Sequence, residues 1–394
     1  MKLFQKLLLG PAAIGLLSPI ALSASETNFK DTNDYSQSDF EVSIDSFKPL
    51  SNKNPLLAGG EGLNHNHSDS SDFDADSFSS TTSASFTANF AAGSIDDGSD
   101  SKIHAGFDYV VELSTGFTGN DSLDVELEAG TLGELSAVDF VDDGATLAVS
   151  SISYTKELGE KLTVFFGDGA AGSSLYNTAC VYGGVTDALD DCGNLNSAID
   201  VEFGTAAGLS ADLGNGFAAA IGLETQNSGE GMFTDEGADA FGAQLSYTGD
   251  NYGLSLTWAN IEDTDANGDL DSDQGATQSY ALNAYFAPDL NNFPSVSVGF
   301  ETNHDDSAAL TDANDESTHY FLGLQWDELG NGTFGAAVGT KTPTAENGTS
   351  QVQYEAYYAY DYTDGMTITP LFYSRENTGS ADDSGILIKT TFEF

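Results

Sequence analysis

The chain has 394 residues, and its 62 Asp and Glu against 11 Lys and Arg give a formal net charge of −51. This acidity excludes nucleic acid as a partner, because binding to phosphates needs clusters of cationic side chains. It does not indicate a disordered chain, since 25 Phe, 16 Tyr and 2 Trp supply far more aromatic surface than a solvating tail carries. The 2 Cys allow one internal disulfide and no disulfide scaffold.

Residues 1–23 have the features of a secretory signal peptide. Lys2 and Lys6 precede the apolar stretch Leu7–Leu17, and small residues suited to cleavage end at Ser23. The apolar stretch is too short for a transmembrane helix. We therefore expect an exported protein, which is either soluble outside the cytoplasm or inserted in a membrane as a closed β-barrel. A closed barrel satisfies its backbone hydrogen bonds internally.

Residues 24–82 form a polar, low-complexity segment that is rich in Ser, Asp and Asn. Neither a period of two nor a helical period persists in it, so it is predicted to be a linker or tail. His65 and His67 could bind a metal, but two histidines in a polar tract are a weak signal, and a solvated linker is the favoured interpretation.

Residues 83–394 are predicted to be an all-β domain, because short stretches of alternating apolar and polar residues continue to the end of the chain. The connections alternate between short turns such as Gly119–Asp121 and long acidic loops such as Asn227–Asp239, as in transmembrane barrels. We predict an antiparallel transmembrane β-barrel of about 16 strands. Their expected first residues are Ser83, Ile103, Leu123, Leu147, Leu162, Thr205, Gly216, Ala240, Asn251, Thr277, Pro294, Thr318, Thr333, Gln351, Met366 and Gly385.

The two faces of each strand differ, which predicts an apolar exterior and a wet interior. In the strand at Gln351, Tyr354 and Tyr358 lie on one face, whereas Gln353 and Glu355 lie on the other. A soluble sandwich would bury the apolar face instead, so alternation alone leaves both folds open. The alternating loop lengths, the aromatic strand ends and the aromatic last residue of the chain favour the barrel.

Charged side chains on the polar faces are candidates for a pore lining. Rings of carboxylates favour cations in a channel. The few inward cations belong to late neighbouring strands and are expected to form one basic strip. The alternative is that these charges only keep the protein hydrated and do not select ions. The predicted lumen-facing residues are Asp108, Glu112, Asp124, Glu126, Glu128, Glu224, Glu301, Lys341, Glu355, Arg375 and Lys389.

The longest connection, about Asp168–Gly204, contains Cys180 and Cys192. A bridge between them would close a loop of about 13 residues and, in the chain-entropy model, restrict the unfolded loop by about 3 kcal/mol. An oxidising compartment outside the cytoplasm permits this bond. We expect the stapled loop to enter the lumen and place negative charge at the narrowest point. The alternative is a stapled loop that stays outside. The charged residues concerned are Asp187, Asp190 and Asp191.

One further loop resembles a calcium-binding sequence. Oxygen ligands alternate along it, with Gly268 at the sixth position, as in an EF-hand loop. Gln274 stands where the bidentate Glu belongs, so weak calcium binding and a solvated acidic loop both remain open. No cofactor is required, and no HExxH or GxSxG motif indicates an enzyme. The candidate ligands are Asp263, Asp265, Asn267, Asp269 and Asp271.

The segments Met1–Leu8, Gly10–Ala13, Phe78–Thr82, Tyr176–Gly184 and Asp190–Asn194 resemble those of marine cyanobacterial outer-membrane porins. The resemblance covers the signal peptide and roughly residues 78–394. It implies an outer-membrane location, contact with lipid, a homotrimer and an inward-folded third external loop. Many members carry an S-layer-homology domain, and some are described as iron-uptake porins. The polar N-terminal segment shows no such domain, so this chain is expected to be a variant without it.

The expected function is a water-filled channel for passive diffusion of small hydrophilic solutes, carbohydrates included, and inorganic ions, with a preference for cations. The alternative is a secreted or surface-attached acidic β-rich adhesin or structural protein that binds calcium. Both hypotheses predict a non-enzymatic protein.

Overall fold

The computed structural model describes residues 81–394, apart from residues 97–100, 136, 139, 142–143, 191, 194–198, 200–203, 226–231, 235–236, 263–274, 291–292, 307–314, 343 and 347. Several predictions therefore lie outside the described residues. They are the signal peptide, the polar segment with His65 and His67, Asp191, and the candidate calcium ligands Asp263, Asp265, Asn267, Asp269 and Asp271.

The described part of the chain forms seventeen strands and a 3-10 helix at Gly133–Leu135. No helix within these residues is long and apolar enough to cross a membrane. The strands are β1 (Thr82–Asp96), β2 (Ser101–Thr115), β3 (Asp121–Gly130), β4 (Gly144–Leu158), β5 (Leu162–Asp168), β6 (Thr205–Gly214), β7 (Phe217–Thr225), β8 (Asp239–Thr248), β9 (Tyr252–Glu262), β10 (Ala276–Phe286), β11 (Ser295–Asp305), β12 (Glu316–Trp326), β13 (Gly332–Thr340), β14 (Thr344–Ala345), β15 (Val352–Thr363), β16 (Met366–Arg375) and β17 (Asp383–Glu393).

Sixteen of these strands close into one antiparallel barrel. Each pairs with its sequence neighbours, β13 pairs with β15, and the two-residue β14 pairs only with β12. Closure comes from β17, which pairs with β1 from Thr87↔Glu393 to Asp96↔Ser384. None of the sixteen strands is left with an open edge. The predicted all-β fold of sixteen strands is confirmed. The predicted strand starts agree closely, with the largest difference at β4, which begins at Gly144 rather than Leu147.

The connections place short turns at one end of the barrel and long loops at the other, because neighbouring strands run in opposite directions. We call these the turn end and the loop end. Gly214 ends β6, and Asn215 and Gly216 form the turn to β7; their φ angles are +82°, +58° and +84°. Glycine and asparagine adopt this left-handed backbone at low cost, so the sequence itself specifies a tight turn here.

The exposed face of the barrel is the apolar one. In β9, Leu256 and Trp258 are 48% and 38% exposed, whereas Ser255 and Thr257 are buried. The same inversion holds in β12, where Tyr320 and Leu322 are exposed and His319 is fully buried. A water-soluble protein buries its apolar side chains. This barrel has the opposite arrangement, which a lipid-facing exterior requires.

Candidate functional site

The connection between β5 and β6 runs through the inside of the barrel in the part that the structure describes, residues 169–190, 192–193, 199 and 204; we call these residues the inner loop. Its backbone exchanges hydrogen bonds with side chains on successive strands. The loop therefore follows the inner wall from β7 to β15. The contacts are Gly172 N to Glu224 Oε2 (2.7 Å), Asn177 N to Gln244 Oε1 (2.6 Å), Ser255 Oγ and Asn283 Nδ2 to Thr178 O (3.2 and 2.9 Å), Val181 N to Ser297 Oγ (3.1 Å), Gly183 N to Gln325 Oε1 (2.8 Å) and Thr186 N to Glu355 Oε2 (2.8 Å).

Glu355 of β15 is the strongest anchor of the inner loop. Its carboxylate accepts hydrogen bonds from Tyr182 Oη (2.7 Å), Thr186 N (2.8 Å), Thr186 Oγ1 (2.6 Å) and Val185 N (3.3 Å). The side chain is 3% exposed, so these donors replace its hydration. Gln353 adds a hydrogen bond from Nε2 to Thr186 Oγ1 (2.6 Å). Sequence reasoning predicted Glu355 to face the lumen; in the structure its carboxylate projects inward and accepts these hydrogen bonds from the inner loop.

Burial raises the pKa of the Tyr182 phenol, and the neighbouring Glu355 carboxylate raises that pKa further. The phenol therefore stays protonated at neutral pH and remains a hydrogen-bond donor to Glu355. Its ring also packs near Phe321 and Tyr357, with centroid distances of 5.5 and 6.0 Å. Tyr182 thus joins a polar anchor to an apolar cluster inside the barrel.

Cys180 and Cys192 form a disulfide with a Cα–Cα distance of 6.1 Å. Cys192 is fully buried, and a Cβ on Gly299 of β11 would overlap its carbonyl oxygen. The structure therefore brings the bridge against the inner wall. Of the acidic residues predicted within the bridge, Asp190 is buried and Asp187 is partly buried.

The predicted acidic lining gathers on β2 and β3. Asp108 is buried and accepts a hydrogen bond from Asn89 Nδ2 at 2.7 Å, and Glu112 accepts one from Ser85 Oγ at 2.9 Å. Glu112 pairs directly with Glu126 across the two strands. Glu126 and Glu128 are buried, and Asp124 lies nearest the turn end. Elsewhere on the wall, Glu224 and Glu301 are fully buried.

The three predicted basic residues, Lys341, Arg375 and Lys389, each contact a different group. Arg375 places Nε and Nη2 each 2.6 Å from Asp383 Oδ2, so its charge is paired. Lys341, just beyond β13, donates to Asn377 Oδ1. Burial, and then the nearby Arg375 cation, lower the pKa of the Lys341 ammonium, and Asp383 opposes this. Lys389 lies further along the wall, with Nζ 5.7 Å from the Phe140 ring centroid.

Sequence reasoning missed an apolar cluster inside the barrel. It includes inward-facing wall residues on strands whose inner faces are otherwise polar. It also includes buried residues of the inner loop and of the connection between β3 and β4. The available signal was the presence of large apolar residues at inward positions of β12, β16 and β17. The large wall members are Phe321, Tyr357, Leu371, Tyr373 and Leu387, and the small ones are Ala91 and Ala337.

Two cavities lie between the inner loop and the turn end. The larger has a volume of about 760 Å³ and is lined by Asn89, Gln325, Thr369, Lys389 and Thr391, among others. The smaller, about 270 Å³, borders Asn177 and Gln244 near the turns that join β4 to β5 and β6 to β7. Their hydroxyl and amide linings suit water and hydrophilic solutes. Among the described residues, no group of three or more His, Cys, Asp or Glu is placed to hold a metal ion.

Comparison with known proteins yields structural similarity only. No family model matches the chain, and no curated protein matches it by sequence. Pseudomonas putida OprB has a TM-score of 0.60 at 12% identity, covering 80% of this chain and 94% of that one. An anion-selective porin from Comamonas acidovorans has a TM-score of 0.58 at 12% identity, covering 79% and 100%. A mutant of the Rh. blastica porin has a TM-score of 0.52 at 12% identity, also covering 79% and 100%. The chain therefore has the fold of bacterial porins.

Proposed function

We propose that the protein is an outer-membrane porin that lets small hydrophilic solutes and inorganic ions diffuse passively through a water-filled lumen. The observation that carries this proposal is the inversion of the barrel, with apolar side chains exposed outside and polar ones within. The porin fold of the structural neighbours supports it.

The inner loop is proposed to be the constriction. It crosses the interior from β7 to β15 and separates the turn-end cavities from the loop end. Asp187 and Asp190 would bring negative charge to this region. Because the loop is hydrogen-bonded to the wall between Gly172 and Thr186, we propose that it narrows the pore in its resting state.

A preference for cations is proposed from the charge of the inner wall. The carboxylates on β2 and β3 outnumber the three predicted inward cations, of which Arg375 is paired with Asp383. In about 0.5 M salt the Debye length is roughly 4–5 Å, so charges discriminate only where the pore is narrow. The half-buried Glu112 and Asp124 are the best placed to act on a passing ion.

Two partners remain proposals that rest on the family resemblance and on the sequence. A homotrimer is expected, and chemical cross-linking in detergent with mass determination tests it. Weak calcium binding by residues 263–271 is expected from their ligand spacing. Calorimetric titration of the purified protein with calcium, compared with an Asp263→Ala/Asp265→Ala variant, tests that expectation.

The proposed function is tested by recording currents across a planar bilayer that separates two concentrations of KCl. We expect discrete conductance steps and a reversal potential of the sign given by K⁺ permeating faster than Cl⁻. A reversal potential of the opposite sign would contradict the proposed cation preference but not the proposed porin function. A protein that never conducts and stays monodisperse without detergent would instead support the adhesin hypothesis.

A further inference from the structure

A second connection, between β3 and β4, also folds into the barrel. The described residues of this connection are 131–135, 137, 138, 140 and 141, and we call them the strap. Leu132 and Leu135 are each 1% exposed, and Val138 is 5% exposed. Leu135 N donates to Leu132 O at 2.7 Å, and Val138 N donates to Leu135 O at 2.9 Å. These tight turns present three apolar side chains to the interior.

The strap pairs directly with the inner loop. Val138 and Thr186 form an antiparallel β-bridge, and Asp187 N donates to Ala137 O at 3.2 Å. Thr186 is also the residue whose amide and hydroxyl are held by Glu355. The tip of the inner loop is therefore clamped between the wall on one side and the strap on the other.

Apolar packing reinforces this clamp. The strap residues Leu132, Leu135 and Val138 belong to one buried cluster with the inner-loop residues Tyr182, Leu189 and Cys192 and with the inward wall residues. Burial of three such side chains stabilises the strap in place, because each would otherwise be exposed to water in the lumen.

The barrel wall is shaped to receive the strap. A Cβ on Gly130 would overlap the carbonyl oxygen of Val141, and a Cβ on Gly106 would lie 2.6 Å from Thr131 O and 2.8 Å from Leu132 Cδ2. The strap backbone thus approaches the wall at two positions where only glycine fits. This close approach fixes where the strap enters the lumen.

The disulfide cannot supply this tethering. Cys180 and Cys192 are 12 residues apart in the same loop, so their bond restricts the tip internally and attaches it to no strand. We propose that the strap, together with Glu355 and independently of the disulfide, positions the tip of the inner loop and so sets the cross-section of the pore. This inference rests on the proposed porin function.

The first test compares single-channel conductance between variants. Leu132→Ala/Leu135→Ala should raise the mean conductance roughly twofold, because the tip loses its apolar support. The matched control Leu254→Ala/Leu256→Ala removes the same side chains from the outer face of β9 and should leave the conductance unchanged. Each variant is first checked for heat-dependent migration on gels, which reports an intact barrel. If the wild type conducts and the strap variant conducts equally, the strap inference is overturned and the porin function stands.

The second test locates the strap without measuring transport. The structure contains no free cysteine among its described residues, so an introduced thiol can be labelled selectively with a bulky polyethylene-glycol maleimide. Val138→Cys should resist labelling in the folded protein and react after denaturation. Thr349→Cys, in the exposed connection before β15, should react without denaturation. Equal labelling of the two folded variants would overturn the strap inference even if the channel conducts.

Discussion

Replacing Glu355 by alanine tests how the inner loop is held. One carboxylate accepts three hydrogen bonds of 2.6–2.8 Å, two from Thr186 and one from Tyr182. Removing it leaves buried donors without an acceptor. Leaving a buried hydrogen-bond donor without its acceptor costs about 1–3 kcal/mol. The upper figure corresponds to a roughly hundredfold change in an equilibrium constant. We therefore expect the detached state of the loop to become roughly a hundredfold more populated.

The measurement is single-channel recording in a planar bilayer. Glu355→Ala should show frequent excursions to a larger conductance that the wild type visits rarely. Glu355→Gln keeps one acceptor oxygen and should lie between the two. The control is Glu112→Ala, which removes the same charge from the inner wall at a carboxylate that accepts its hydrogen bond from Ser85 of β1. If the Glu355→Ala and Glu112→Ala channels show the same substates, the anchoring role of Glu355 is wrong and only its charge matters.

Three further predictions concern the same pore. Cys180→Ser/Cys192→Ser should increase current noise at unchanged mean conductance, because the tip gains internal freedom while its attachments remain; a doubled mean would contradict this. The raised pKa of Tyr182 means that loop anchoring is fully present below about pH 10 and weakens as the pH rises further. Tyr182→Phe should remove that alkaline transition from pH-dependent conductance traces, and an unchanged transition would assign it to another group. Glu112→Gln/Asp124→Asn should shift the reversal potential toward zero in a KCl gradient, whereas no shift would place the selective charges elsewhere.

Strand positions and strand faces could be predicted from sequence because they depend on a local period. Alternation of side chains between two faces is a property of each strand, and antiparallel pairing with the next strand propagates it around the barrel. The exposed Tyr354 and the buried Gln353 therefore lie on the faces that the sequence indicated. The turns could be predicted for the same reason, since residues such as Gly214, Asn215 and Gly216 favour the left-handed backbone that a tight turn needs.

The interior of the barrel could be predicted only in part. The strap has no period, and its burial depends on partners far away in sequence, such as Thr186 and Leu387. The anchoring role of Glu355 could not be predicted either. The sequence indicates that its carboxylate faces inward, but not whether it faces water or four hydrogen-bond donors. Phe321 and Tyr373 departed from the polar pattern of their faces, and such departures indicate that something packs against the wall from within.

The central claim is that the outer face of the barrel contacts lipid while the inner face contacts water. The 2 Trp of the chain, Trp258 on β9 and Trp326 on β12, occupy the same outward face as their exposed apolar neighbours. Fluorescence of the protein reconstituted in vesicles measures their surroundings directly. We predict strong quenching by lipids brominated on their acyl chains and weak quenching by aqueous iodide. Strong quenching by iodide with none by brominated lipids would contradict the account.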